Sequence, residues 1–290
     1  MKEIVIISGK GGTGKTTLTG ALAALVQNKV LADCDVDAAD LHLILNPTVK
    51  QETKFSGRKL PSINPDVCTQ CGKCREVCQF DAISPEFHVN FIHCEACGVC
   101  VWFCPVAAID FRQHFGGDWF ISETRFGPMV HARLGIAEEN SGKLVALVRK
   151  EAKQIVQAGG FDYLLVDGAP GVGCPVISSI SGASAVLIVT EPTLSGLHDL
   201  TRVASLSVNH FGLLTLVCVN KYDLNPEITR EIAKYSEENG LKFIGQIPFD
   251  ADVTQAMVAG KTILEFAPDG LVSQAIKTLW DRLVNEMEKG

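Results

Sequence analysis

The sequence predicts an α/β protein: a mainly parallel sheet flanked by helices and interrupted by a small α+β insert. Three observations predict it. Residues 3–8 form an apolar strand that runs into a glycine-rich loop and then a helix. Continuous apolar runs at 185–190 and 213–219, separated by helical stretches, read as strands buried on both faces. Such alternation implies right-handed crossovers in a parallel sheet. Eight of the eleven cysteines crowd between Cys68 and Cys104, after the strand–helix pattern breaks.

The first element is the most specific. Gly9-x4-Gly14-Lys15-Thr16 is the spacing of a phosphate-binding P-loop. Glycines let backbone N–H groups curl around an anion, and the N-terminus of the following helix (15–28) adds positive potential. Gly11, Gly12, Thr13, Gly14 and Thr17 complete the cradle. Lys15 is expected on the β- and γ-phosphates, and the Thr16 hydroxyl on Mg2+. A second lysine, Lys10, opens the loop. With it the chain resembles the deviant Walker A P-loop ATPases, the MinD/ParA/Mrp group that includes the nitrogenase iron protein. The resemblance implies a P-loop NTPase fold and an ATP-dependent homodimer in which Lys10 reaches the partner's nucleotide. Otherwise Lys10 is a solvated loop lysine.

Residues 30–33 read as a short buried strand ending in Asp33, Asp35 and Asp37, where α/β sheets place ligands. By the resemblance Asp35 lies near the attacking water and Mg2+, with Asp33 supporting. The alternative is that these carboxylates cap the helix at 41–45. Asp40 receives no role, and Cys34 reads as a small buried residue.

Residues 46–62 read as a polar linker, marked by Pro47, Gly57 and Pro61 with Lys50, Lys54, Arg58 and Lys59. Then come Cys68-x2-Cys71-x2-Cys74-x3-Cys78 and Cys94-x2-Cys97-x2-Cys100-x3-Cys104-Pro105. This is the pattern of a bacterial ferredoxin carrying two [4Fe–4S] clusters, in which the fourth cysteine of each run serves the other cluster. One cluster takes Cys68, Cys71, Cys74 and Cys104; the other takes Cys94, Cys97, Cys100 and Cys78. Zinc is the alternative occupant of paired Cys-x2-Cys motifs. Gln79 stands where the pattern has proline, which shapes a turn and ligates nothing. Phe80-Asp-Ala-Ile83 matches Val106-Ala-Ala-Ile109 as a pseudo-twofold repeat. The expected domains are a ferredoxin-like insert over 60–112 and a MinD/ParA-like ATPase over 1–59 and 113–290.

Residues 113–140 suggest irregular or strand-and-turn structure; His114 and His131 there are not expected to be ligands. An amphipathic helix follows from Ser141 to about 158, capped by Asn140 or Ser141, its charged face solvated. The apolar run 161–167 ends in Asp167, as a Walker B strand does, and Gly168–Gly171 reads as a switch loop. Asp167 suits Mg2+ through water, and the Gly171 N–H suits the γ-phosphate. Cys174 stands at the offset from Asp167 where the nitrogenase iron protein has a cluster cysteine. It either holds a transient metal at a dimer axis or is a small residue at a helix start.

Glu191-Pro-Thr193 ends one strand near the nucleotide without a clear role. Asn220-Lys-Tyr-Asp223 matches the Asn-Lys-x-Asp of GTPases, yet MinD-like ATPases contact adenine through an asparagine at this strand end, so ATP is favoured over GTP. Pro248, in Ile247-Pro-Phe-Asp250, is expected beside the base by the same resemblance. The C-terminal helix (271–287) has one apolar face and a mixed polar face. That composition suits core packing better than the basic helix that anionic lipid wants.

Net charge is −7, from 26 basic and 33 acidic residues, which argues against nucleic-acid binding through bulk charge. No apolar run approaches the ~20 residues of a membrane span, and the N-terminus reads as a strand rather than a signal peptide. A cytoplasmic protein is expected, in which clustered cysteines mean metal rather than disulfides. The expected activity is slow, partner-stimulated ATP hydrolysis coupled to electron transfer or to iron–sulfur or metal-cluster handling, with a redox or cluster-accepting protein partner. The alternative is a positional organiser of division or partition with redox-sensing clusters.

Overall fold

In chain order, β1 (Lys2–Ser8) runs into α1 (Lys15–Leu25), β2 (Lys29–Asp33), α2 (Leu41–Leu45), β3 (Thr48–Phe55) and β4 (Arg58–Ile63). Two single-turn helices, α3 (Lys73–Glu76) and α4 (Val99–Trp102), precede β5 (Ile109–His114), β6 (Gly117–Thr124) and β7 (Gly127–Leu134). Strands and helices then alternate: α5 (Ser141–Gly159), β8 (Tyr163–Pro170), α6 (Cys174–Ile180), β9 (Ala185–Thr190), α7 (Leu194–Ala204), β10 (Thr215–Asn220) and α8 (Pro226–Glu238). The chain ends with β11 (Lys242–Ile247), α9 (Ala251–Val258), α10 (Ile263–Phe266) and α11 (Leu271–Lys289). This computed structural model describes residues 1–135 and 141–289. The chain forms two compact units, one of Met1–Glu52, Trp119–Arg133 and Ser141–Gly290, the other of Thr53–Asp118 and Leu134–Asn140.

A nine-stranded sheet has the order β11-β10-β9-β1-β8-β2-β7-β6-β3. Every pairing from β11 to β7 is parallel. The apolar runs form its centre because strands covered on both faces need no polar alternation: all of β9, and β10 up to Val219, are buried. The C-terminal helix packs into this core. Val272, Ile276, Leu279 and Leu283 of α11 are buried beside Leu22, Ile244 and Ile247. Among the described residues no helix is long and apolar enough to cross a membrane.

Three sequence expectations are corrected. Residues 46–62 are not a linker: they form β3, at the sheet's edge, and β4, which pairs antiparallel with β5. An edge strand can be polar, and only Phe55 of β3 is buried. Pro61 sits in a two-stranded ribbon, where its missing N–H is tolerated. Gly168, Ala169 and Pro170 continue β8 rather than opening a loop. A Cβ at Gly168 would stand 2.6 Å from Ile7 Cγ2, so glycine permits the close β1–β8 approach. Of the two readings of 113–140, strand and turn is the one found over 117–134: β6 and β7 are joined by Arg125 and Phe126. Finally, the charged side of α5 is not all solvated. The proposed cap Asn140 lies outside the described residues.

Arg149 of α5 is buried, and its Nε and Nη2 donate to Glu3 Oε1 at 2.9 and 2.6 Å. Its Nη1 donates to the carbonyls of Ser178 and Ser181 at 2.6 and 3.0 Å, tying the end of α6 to β1. Lys153 makes a second ion pair to Glu3, at 2.8 Å. Breaking a buried pair leaves a charge uncompensated. Arg149→Met should therefore cost about 3–5 kcal/mol in urea unfolding, whereas exposed Lys150→Met should cost less than about 0.5 kcal/mol.

Candidate functional sites

The first site grows from the loop between β1 and α1. Gly12 and Gly14 have φ of 80° and 88°, conformations that side chains with a Cβ resist. Gly14 is the N-cap of α1, and a Cβ there would meet Asn220 Nδ2 at 2.3 Å. Over this loop opens a cavity of about 530 Å3. Of the expected binding residues, Gly11, Gly12, Thr13, Gly14, Lys15, Thr16, Thr17, Asp35 and Asn220 line it. Lys10, Asp167, Gly171 and Pro248 are not among its lining residues.

Lys15 joins what the sequence left far apart. Its Nζ lies 3.1 Å from Asp35 Oδ2 and 3.1 Å from Asp167 Oδ1, all three side chains being buried. Burial alone would lower the lysine's pKa, but Asp167 and Asp35 outweigh it and raise it. Burial likewise raises Asp35, against the pull of Lys15. Asp33, fully buried, is pushed well above the carboxylate range by burial and then by Asp167. It accepts the N–H groups of Asp35 and Leu41, so Asp33 caps α2 from a distance. Asp37 is exposed, and the nominal N-cap Asp40 makes no side-chain capping bond.

Asp167 is the residue to test for a metal. Its Oδ1 is engaged by Lys15 and by the Thr19 hydroxyl, both at 3.1 Å. Its Oδ2 is buried without a hydrogen-bond partner. A buried carboxylate oxygen left unpaired, in a side chain that shares Lys15 Nζ with the Thr16 hydroxyl (3.1 and 3.4 Å), is a donor set that fits Mg2+.

Several neighbours are committed elsewhere. The Gly171 N–H donates to the Ser8 carbonyl at 2.8 Å, so here it is not free for a phosphate. Asn220 Nδ2 donates to the Thr13 carbonyl at 2.8 Å, bracing the loop. Asp223 Oδ1 accepts the Phe249 N–H at 2.8 Å. Lys10 turns to its own chain, donating to Ser195 Oγ at 3.0 Å and standing 3.9 Å from Glu191. Glu191 also pairs with Lys221 at 2.7 Å, while Thr193 caps α7. Thus the segment after β9 anchors two lysines, which its sequence alone did not reveal. Cys34 and Cys218 are buried in the core, the latter thiol pushed up to about 12 by burial. Cys174 is exposed and opens α6.

Sequence reading also missed Arg125. Its guanidinium clasps Glu265 at 2.7 and 2.8 Å and donates to the Leu45 and Ile44 carbonyls at the end of α2. Hydrogen bonds from Arg125, partly opposed by burial, hold Glu265 at about 2. Lone arginines in turns carry no local signature, so only the fold reveals the clasp. His131 is buried, pairs with Ser122 Oγ at 2.9 Å and is lowered to about 4 by burial. His114 stacks on Phe91.

The second site lies in the unit around the cysteines, where backbone geometry repeats with the sequence. Gly72 and Gly98 cap α3 and α4 with φ of 78° and 74°. Gln70 and Ala96 match at 54°, and Asp81 and Ala107 at 48° and 51°. The two halves also exchange backbone bonds: Asn64 N–H donates to Ala108 O, and Asn90 N–H to Ala82 O. Each asparagine carbonyl in turn accepts the N–H of its run's first cysteine, Cys68 or Cys94.

Among the described residues no two cysteines are joined in a disulfide. Cys78, Cys94, Cys97 and Cys100 line one small pocket of about 20 Å3. Burial pushes Cys100 up to about 11, with Cys94 and Cys97 adding to it. Burial also raises Cys74, with Cys68 and Cys71 adding. Cys104 Sγ accepts the Ala108 N–H at 3.2 Å. Among the described residues no three His, Cys, Asp or Glu side chains converge closely enough to grip a single metal ion. Four cysteines that share one pocket, the fourth from the other run, match the four-cysteine ligation of an iron–sulfur cluster in kind and number.

Residues 4–263 match the family model described as the CobQ/CobB/MinD/ParA nucleotide binding domain. An uncharacterized protein of Methanocaldococcus jannaschii is 36% identical over 285 residues, spanning 97% of this chain and 96% of that protein. An iron-sulfur cluster carrier protein of Pyrococcus abyssi is 28% identical over 160 residues, about half of each (50% and 53%). Among solved structures, the cell division ATPase MinD of Pyrococcus furiosus superposes with a TM-score of 0.59 at 21% identity, covering 98% of this chain and 99% of that one. MinD of Pyrococcus horikoshii, complexed with Mg-ADP, gives 0.58 at 19% identity over 99% and 98%. The structural likenesses establish an α/β P-loop fold with a mainly parallel sheet between helices.

Proposed function

The chain belongs to the CobQ/CobB/MinD/ParA nucleotide-binding domain family, and from that premise we propose that it is a Mg-ATP-hydrolysing iron–sulfur protein. Its nucleotide state is coupled to electron transfer or cluster handling by two [4Fe–4S] clusters. The observation that carries the proposal is the presence, in one chain, of a P-loop cavity over the Lys15–Asp35–Asp167 cluster and a small pocket lined by four cysteines.

Nucleotide phosphates draw Lys15 away from the two carboxylates, because phosphate offers a denser negative charge than either. Asp35, released, orients the attacking water, and the glycine loop's N–H groups hold the spreading charge. Mg2+, when bound through Asp167 and Thr16, neutralises phosphate charge. ATP is favoured over GTP by the likeness to MinD-type ATPases, whose family the chain shares. Lys10 must exchange Ser195 and Glu191 for a partner's nucleotide, so dimerisation requires ATP and hydrolysis stays slow without a stimulating protein.

Cluster ligands follow the expected exchange: Cys68, Cys71, Cys74 and Cys104 for one, Cys94, Cys97, Cys100 and Cys78 for the other. Electron transfer to a protein partner is favoured, since tightly held clusters make poor cargo; an exposed Cys174 and the half-length likeness to a cluster carrier favour delivery. The division-organiser alternative draws on the likeness to MinD, but the apolar face of α11 is occupied by core. Constant ATPase rates with added lipid or DNA would count against it.

The test is an anaerobic EPR redox titration with and without Mg-ATP, with iron counted in the same sample. About eight irons per chain and a shift of tens of millivolts are expected for gated electron transfer. Iron above that number, released when ATP binds, would instead mark a carrier. Iron near zero after anaerobic reconstitution would sink the cluster assignment.

A further inference from the structure

Thr19 lies in the interior of α1, one turn after Lys15, and is fully buried. A threonine in mid-helix ordinarily hydrogen-bonds the carbonyl four residues back, and Thr19 Oγ1 is 3.0 Å from Lys15 O. It is also 3.1 Å from Asp167 Oδ1. The hydroxyl has one proton for two acceptors, and the ionised carboxylate is the stronger.

Asp167 Oδ1 has two donors of different kinds. Lys15 reaches it on a long, jointed side chain. Thr19 reaches it from a short, β-branched one with few rotamers, held by the helix. Oδ2, in the same carboxylate, is buried and unpartnered. If Lys15 moves to a phosphate, the contact remaining on Oδ1 among the described residues is Thr19's. We infer that Thr19 is a positioning residue: its hydroxyl fixes the Asp167 carboxylate so that Oδ2 stays presented to Mg2+ after Lys15 has left. The inference rests on the Mg-ATP reading above. Loss of such a supporting hydrogen bond typically weakens metal binding 10–100-fold.

The experiment uses the full chain and a fluorescent N-methylanthraniloyl ATP, titrated first in EDTA and then with Mg2+. Thr19→Val should leave affinity in EDTA within about twofold of the parent and raise half-saturating Mg2+ about tenfold or more. Thr19→Ser, which keeps the hydroxyl, should restore the parental Mg2+ dependence. Thr19→Ala, which removes the hydroxyl without adding bulk, should behave as valine does and decides the matter if valine unfolds the chain. Parental Mg2+ dependence in a folded valine or alanine variant overturns the inference, leaving Thr19 with only its helix bond. If the parent protein binds the analogue with no Mg2+ dependence at all, the Mg-ATP reading fails first, and that outcome is distinct.

Discussion

Lys15→Met is expected to abolish ATP hydrolysis, by at least ~10²–10³-fold, the scale on which a preorganised charge acts on a transition state. The same change has a second effect that a loop lysine in open solvent would not produce. Nζ is the cation within 3.1 Å of both Asp35 and Asp167, and fully buried Asp33 stands in the same field. Without it the carboxylates are buried and mutually repelling, and the apo protein should lose about 3–5 kcal/mol at neutral pH.

The pH dependence has a definite sign. Carboxylates whose folded pKa is raised bind more protons folded than unfolded, so stability falls as pH rises. The deficit of Lys15→Met should therefore be largest at pH 8 and shrink toward pH 5, read by urea unfolding in EDTA. A deficit independent of pH would mean that the carboxylates had found another cation.

Cys104→Ser is expected to remove the cluster that Cys68, Cys71 and Cys74 hold, and not the one held by its own run. Iron should fall from about eight to about four per chain. Double variants make the exchange testable, because losses within one cluster do not add. Cys104→Ser with Cys74→Ser should lose no more iron than either alone. Cys104→Ser with Cys100→Ser should lose nearly all of it. The reversed pattern would mean that each run closes on itself. The structural motive for exchange is the crossed pair of backbone bonds, Asn64 to Ala108 and Asn90 to Ala82. They lay the segment after each fourth cysteine beside the start of the other run.

The P-loop, the acidic strand ends, the parallel sheet and the cysteine runs were legible in the sequence, because each depends on local spacing. Glycine φ angles, helix starts and buried apolar runs are short-range consequences of residue type. The strands β3 and β4 escaped notice for the opposite reason. A strand at a sheet edge needs a neighbour but no apolar face, so its composition resembles a linker's. Glu3 in an otherwise apolar strand was a signal that a buried cation must exist somewhere, yet nothing local named Arg149.

What the sequence by itself determined is the parallel α/β fold with its glycine-rich nucleotide loop, and where along the chain the acids and thiols gather. What only the tertiary structure decided is who holds whom. Lys15 lies between Asp35, just past the end of β2, and Asp167 of β8, Thr19 shares an oxygen with it, and Lys10 rests on its own chain. Motif spacing is set by one backbone segment at a time. Charge pairing is set by distances across the sheet, and these exist only once the crossovers have brought distant strands together.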